Sequence, residues 1–223
     1  APCSTTRSMP DYTAELDMLQ QQGLLRERRV LDSAQGPEIV VDGRRMLAFC
    51  SNDYLGLANH PAVIEALTDA AREHGVGSGA SHMVNGHHRL HQELEEALAE
   101  HTGREAAALF STGYMANLGV AATMAGRHDV IVQDRLNHAS LLDGARLAGA
   151  RLKRYTHADT QAATRLLESE SRCALVATDG VFSMDGDLAP LDGLSALCRD
   201  HEVPLMVDDA HGLGVLGSKG GGI

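Results

Sequence analysis

The sequence predicts an α/β fold in which a mostly parallel sheet, flanked by helices, follows an N-terminal helix and a β-hairpin. Short apolar runs at 106–110, 130–133, 152–155, 174–178 and 205–208 alternate with helical stretches near 114–125, 140–148, 160–168 and 191–201. The runs begin 24, 22, 22 and 31 residues apart, room for a strand and the crossover helix that a parallel neighbour requires. Ahead of them, Asp42-Gly43 separates the β-prone runs 39–41 and 45–49, and a D-G pair in that setting signals a tight hairpin turn.

Taken in order, residues 1–10 are small and polar with no apolar core, so they read as a loose tail and not as a signal peptide. Residues 11–30 carry Leu16, Leu19, Leu24 and Leu25 among charges, a helical stripe that fits one short helix or two broken by Gly23. The stripe closes with the basic cluster Arg26, Arg28 and Arg29. A loop over 51–57 follows the hairpin. Pro61 then opens a helix bearing Val63, Ile64 and Leu67, which Gly75, Gly77 and Gly79 end, and a further helix covers 88–101. Two segments result: 1–58, with tail, helix and hairpin, and a large domain over 59–223.

Composition narrows the function. The 223 residues are 43% apolar and 22% charged, a globular profile. Nineteen Lys and Arg against thirty Asp and Glu leave a net charge of −11, which argues against a nucleic-acid-coating surface or a polybasic membrane anchor. The apolar stretches fall far short of the roughly 20 residues of a bilayer span, so no membrane crossing is expected and the cytoplasm is the expected compartment. Cysteines 3, 50, 173 and 198 form no C-x-x-C pair and read as buried thiols, and no metal is expected.

In sheets of this kind, ligands gather where strands end and helices begin. Ser111-Thr112-Gly113-Tyr114 sets hydroxyls and a glycine at a helix start, suited either to an ordinary N-cap or to a phosphate. His138, just past a strand, is open to two readings: a base or aromatic platform, or a satisfied polar residue. The acid- and glycine-rich loop 179–187 is longer than a plain connection needs. Asp185 and Asp187 are spaced like calcium ligands, but the full calcium-loop series is absent. Asp208-Asp209-Ala210-His211 puts two carboxylates and an imidazole at a strand end, where a buried carboxylate calls for a cationic partner such as a protonated cofactor ring nitrogen. The G-x-G-x-x-G string 212–217 is discounted as a dinucleotide site, since no helix pattern follows and the two aspartates would repel a pyrophosphate. His87, His91 and Glu95 fall in one helical row, read as a solvated face.

Six strings in order resemble the α-oxoamine synthases, pyridoxal-phosphate enzymes of the aspartate aminotransferase-like fold type I. They are Ser51-Asn52-Asp53-Tyr54-Leu55-Gly56-Leu57, Gly77-Ser78-Gly79-Ala80-Ser81, His91-Gln92-Glu93-Leu94-Glu95, residues 134–140, residues 180–186 and residues 207–212. The resemblance implies pyridoxal 5'-phosphate as cofactor. It implies that Asp208 pairs with the pyridine nitrogen, that His138 stacks on the ring and helps move protons, and that His211 meets the phenolic oxygen with Ser183 beside it. Gly113 and Tyr114 would offer backbone groups near the cofactor, and Arg26 and Asn52 would border the substrate. His138, Asp208 and His211 are thus the expected catalytic residues.

Asp185 to Leu191 and Asp209 to Gly212 are most similar to the biotin-pathway branch of the family. That branch implies decarboxylative condensation of L-alanine with pimeloyl-CoA or pimeloyl-acyl carrier protein, in a homodimer with active sites at the interface. The rival expectations are a sister synthase using glycine or serine, a nucleotide-binding module on 212–217, and a catalytically incomplete fragment. Two departures stand out. Asp179 occupies a position where the family more often has Glu, and the family's Schiff-base lysine lies beyond the Asp-Ala-His-Gly string. Only Lys153 and Lys219 are present, neither in that setting, so the large domain is expected to be incomplete here, with its C-terminal part absent.

Overall fold

The structure is a computed structural model that describes residues 11–223. The expected tail and Cys3 lie outside the described residues. The chain divides into two units, the first running to Leu67 and the second covering Thr68–Ile223.

In the first unit, helix α1 (Tyr12–Gln21) starts where Asp11 Oδ1 accepts the N–H groups of Thr13 and Ala14, at 3.1 and 3.4 Å. It ends early because Gly23 turns left-handed (φ 67°), so of the two readings of the Leu stripe the single short helix is the observed one. Arg26 lies beyond it in irregular chain. Strands β1 (Glu38–Val41) and β2 (Arg44–Leu47) form the antiparallel hairpin, with Val41 opposite Arg44. Asp42 and Gly43 both take positive φ, 49° and 72°, the geometry a two-residue turn needs to match the twist of its strands. Helix α2 (Pro61–His74) has the expected proline at its first position, and Gly75 follows at φ 78°.

In the second unit, which begins within α2, a π-helical turn at His82–Gly86 and helix α3 (Arg89–Thr102) come next. The strand expected at 106–110 does not form among the described residues. Leu109 gives its N–H to Glu95 Oε1 of α3 at 2.8 Å, a side-chain acceptor in place of a neighbouring strand. Then follow α4 (Gly113–Met124), β3 (Val130–Asp134), α5 (Ala139–Ala148), β4 (Arg151–Tyr155), α6 (Thr160–Ser169), β5 (Cys173–Asp179), α7 (Leu191–Asp200) and β6 (Leu205–Asp208). The four strands pair in the order β4-β3-β5-β6, all parallel.

Alternation along the strands divides the core into two layers. Val130, Val132 and Val176 pack with Ala163, Leu167, Leu194 and Leu197 of α6 and α7, while Ile131, Leu175 and Ala177 pack with Ala121 of α4 and Leu141 and Ala145 of α5. In the second layer α4 and α5 approach closely through small residues. Gly144 of α5 lies so close to α4 that an added Cβ would stand 2.9 Å from Ala121 Cβ and 3.0 Å from the Asn117 carbonyl oxygen. Gly144→Ala is therefore expected to destabilise the protein by about 1–3 kcal/mol through overpacking. Leu147→Ala on the exposed face of the same helix should cost at most about 0.5 kcal/mol. Urea denaturation of the two variants checks the contrast.

Candidate functional site

Three adjacent strands end in aspartate: Asp134 on β3, Asp179 on β5 and Asp208 on β6, with Asp179 directly opposite Asp208. Each is met differently. Asp134 is fully buried; its Oδ1 accepts the Leu136 N–H at 2.8 Å and faces His157 Nδ1 at 3.0 Å, and its Oδ2 accepts the Ala158 N–H at 2.8 Å. Asp179 Oδ2 accepts the His138 N–H at 3.0 Å, whereas its buried Oδ1 has no hydrogen-bond partner among the described residues. Burial, followed by the charge of Asp208, pushes the Asp179 carboxyl up to about 6. Asp208 is held at both oxygens, by Asn117 Nδ2 at 2.6 Å and by the Ala210 N–H at 3.1 Å.

Asp179 and Asp208, at the ends of β5 and β6, open on a cavity of about 150 Å³. Gly113, Tyr114, His138, Ser183, Asp208 and His211, all expected at the site, line it together. So do Asn117, Ser140 and Asp179. Thr112 Oγ1 accepts the Met115 N–H at 3.1 Å, so the hydroxyl ahead of α4 is a true N-cap while Gly113 and Tyr114 face the cavity. His138 caps α5 in turn, its Nδ1 accepting the Ser140 N–H at 3.3 Å. A larger cavity of about 710 Å³ shares Gly113, Asn117, Asp208 and Ala210, and the exposed Lys219 lines it. Lys153 instead pairs with Glu170 at 3.2 Å.

Arg26 and Asn52 belong to the first unit. Arg26 is exposed, and Asn52 lines a cavity of about 470 Å³ with Arg29, Met46 and Cys50. Several other expectations change. Cys50 is an exposed thiol and Cys173 a half-buried one; among the described cysteines only Cys198 is buried. Asp187, half of the calcium-like pair, accepts from His157 Nε2 at 2.7 Å, so the loop is tied by a histidine bridging Asp134 and Asp187. His87 lies ahead of α3, so His87, His91 and Glu95 do not share a helix face. The π-helical turn brings His82 beside them, with His82 Nδ1 2.8 Å from His87 Nδ1, and His91 Nδ1 accepts the His88 N–H at 2.9 Å. The string 212–217 forms turns, Gly214 donating to the Gly220 carbonyl at 2.8 Å.

Sequence reasoning passed over Asn117, Ser140 and Ala210. For Asn117 a signal existed: it is the one carboxamide in a helix composed otherwise of apolar and small residues, and it is buried. Among the described residues no helix is long and apolar enough to cross a membrane.

Residues 44–221 match the aminotransferase class I and II family, and the chain belongs to it. Within that class it is 61% identical over 203 residues to the 8-amino-7-oxononanoate synthase of Hahella chejuensis, covering 91% of this chain and 51% of that protein. It is 57% identical over 216 residues to the protein of the same name from Thioalkalivibrio sulfidiphilus, covering 96% and 55%. Among solved structures it is similar to a serine palmitoyltransferase from S. paucimobilis with a bound PLP–myriocin aldimine, at a TM-score of 0.87 and 34% identity over 95% of this chain and 54% of that one. The chain spans about half the length of the curated relatives it matches.

Two pH effects follow from the strand-end carboxylates. A carboxyl raised on folding weakens the fold wherever it is ionised, so the cost of Asp179 is present above about 6 and gone below its ordinary value of 3.8. Asp179→Asn should raise the melting temperature at pH 8 and leave it unchanged below 3.8. For His157, burial lowers the pKa, but the hydrogen bonds and charges of Asp134 and Asp187 outweigh it and the net shift is upward from 6.5. Its stabilisation is complete below 6.5 and lost as pH rises through the raised value, so the gap in melting temperature between wild type and His157→Gln should narrow from pH 6 to pH 9.

Proposed function

We propose that this chain carries the cofactor cavity of a pyridoxal-phosphate-dependent acyltransferase, an 8-amino-7-oxononanoate synthase of biotin biosynthesis. The observation that carries the reading is the convergence of Gly113 and Tyr114 at the start of α4, His138 after β3, Ser183 after β5, and Asp208 and His211 at and after the end of β6, on one cavity. The identity of 57–61% to relatives bearing that name supports the choice within the family.

The residues present fit pyridoxal phosphate. Two opposed carboxylates, one with an unpartnered buried oxygen, leave the cavity with an excess of negative charge, which suits a protonated ring nitrogen. The start of α4 opens on the same cavity, and its free N–H groups suit a phosphate. When bound, the cofactor supplies an electron sink for charge developing at the amino-acid Cα.

In this reading Asp208 would hold the ring nitrogen protonated, His138 would pack against the ring and help move protons, and His211 would hydrogen-bond the phenolic oxygen with Ser183 beside it. Gly113 and Tyr114 would hold the cofactor at the helix start. Arg26 would pair bidentately with a substrate carboxylate, for which a guanidinium is shaped, and Asn52 would border the substrate. The substrates are L-alanine and a pimeloyl thioester of CoA or acyl carrier protein; the new bond joins Cα to the acyl carbon, and the carrier thiol and CO2 leave. The enzyme acts in the cytoplasm as a homodimer with its active sites at the subunit interface.

The test is thiol release by protein expressed from its complete gene, supplied with pyridoxal phosphate, a pimeloyl thioester and L-alanine, glycine or L-serine in turn. Release with L-alanine is expected, and Asp208→Ala should lower the rate by at least about a hundredfold. Release with glycine or serine alone would assign the chain to a sister synthase, and no release with any of the three would overturn the reading.

A further inference from the structure

Asn117 ties together two residues that the proposed function places against the cofactor. Its side chain is buried in α4, and its amide nitrogen carries two hydrogens, each with an acceptor: Asp208 Oδ2 at 2.6 Å and Ser140 Oγ at 2.8 Å. An amide NH2 only donates, so the polarity of the chain of bonds is set from this end. Ser140 Oγ receives from Asn117, which frees its own hydroxyl proton for His138 Nδ1, 2.7 Å away. That same Nδ1 also accepts the Ser140 N–H at 3.3 Å. The remaining Asp208 oxygen, Oδ1, takes the Ala210 N–H.

From this geometry we infer that Asn117 is a positioning residue. It fixes the orientation of the Asp208 carboxylate in the cavity and, through Ser140, holds the ring of His138. The inference rests on the assignment of Asp208 to the cofactor's ring nitrogen made above. Leucine would leave Asp208 Oδ2 and Ser140 Oγ without their donor, and aspartate would set a second negative charge against Asp208. The link also depends on the close approach of α4 and α5, since Gly144 sits against the Asn117 backbone and admits Ser140 to within reach.

The test compares equilibrium binding of pyridoxal phosphate with binding of its 1-deaza analogue, which carries carbon in place of the ring nitrogen, to apoprotein expressed from the complete gene. If Asn117 acts through Asp208, Asn117→Ala weakens pyridoxal phosphate binding roughly tenfold, the scale of a lost hydrogen bond to a charged group. Affinity for the analogue then falls by a clearly smaller factor, because the Asp208 interaction with the ring nitrogen is absent there and only the packing of His138 is left to lose. Asn117→Ser, which keeps a small polar residue too short to span both acceptors, is run alongside in case the alanine variant fails to fold. An equal loss for both ligands would mean a merely structural role and overturn the inference, as would no loss for either. Asp208→Asn separates the two levels of the argument. If it discriminates between the ligands while the Asn117 variants do not, the inference alone fails. If it does not discriminate, the assignment of Asp208 fails and takes the inference with it.

Discussion

Three carboxylates at the ends of three adjacent parallel strands set the terms for the rest of the second unit. The register that places Asp179 opposite Asp208 puts like charges side by side at the edge of a buried sheet, where burial disfavours ionisation. The surrounding loops answer with donors. Leu136 and Ala158 serve Asp134, His138 serves Asp179, and Asn117 and Ala210 serve Asp208. One oxygen, Asp179 Oδ1, goes unserved among the described residues, and its carboxylate lines the cavity where a cationic group would be welcome.

The layers around the sheet are shaped to deliver those donors. On one side, small residues at 121, 144 and 145 draw α4 against α5, which carries Asn117 toward Ser140 and toward the end of β6. On the other, Leu194, Leu197 and Leu167 fill the layer beneath α6 and α7. Between β3 and the loop after β5, His157 bridges Asp134 and Asp187 with Phe182 edge-on to its ring at 4.4 Å. That bridge anchors the loop bearing Ser183, so a charge pair formed for stability also places a cavity residue.

The proposed chemistry uses this arrangement economically. An anionic pocket beside the start of a helix answers a ligand that is cationic at one end and phosphorylated at the other. Charge sorting of this kind comes from backbone architecture, which is why it recurs wherever parallel strands feed helices at a common edge.

Much of this was legible in the sequence. The alternation of apolar runs and helical stretches gave the strand-helix order nearly residue by residue, and Asp42-Gly43 gave the hairpin, because period and turn chemistry are local properties. The loops bearing Gly113, His138, Ser183, Asp208 and His211 stood out for the same reason: unusual polar residues at predicted strand ends. What failed was non-local. Residues 106–110 have the composition of a strand, yet a strand exists only through its neighbours, and Leu109 bonds Glu95 instead. His87 and His91 have helical spacing, but His87 closes the π-helical turn ahead of α3 while His91 lies within α3. The sequence by itself determined the four paired strands, the hairpin and the helices between them, and which residue types stand at their ends. Only the tertiary structure decided that Asp179 faces Asp208 and that Asn117 reaches Asp208 from 91 residues away, because those relations depend on strand order and helix approach, which no local pattern encodes.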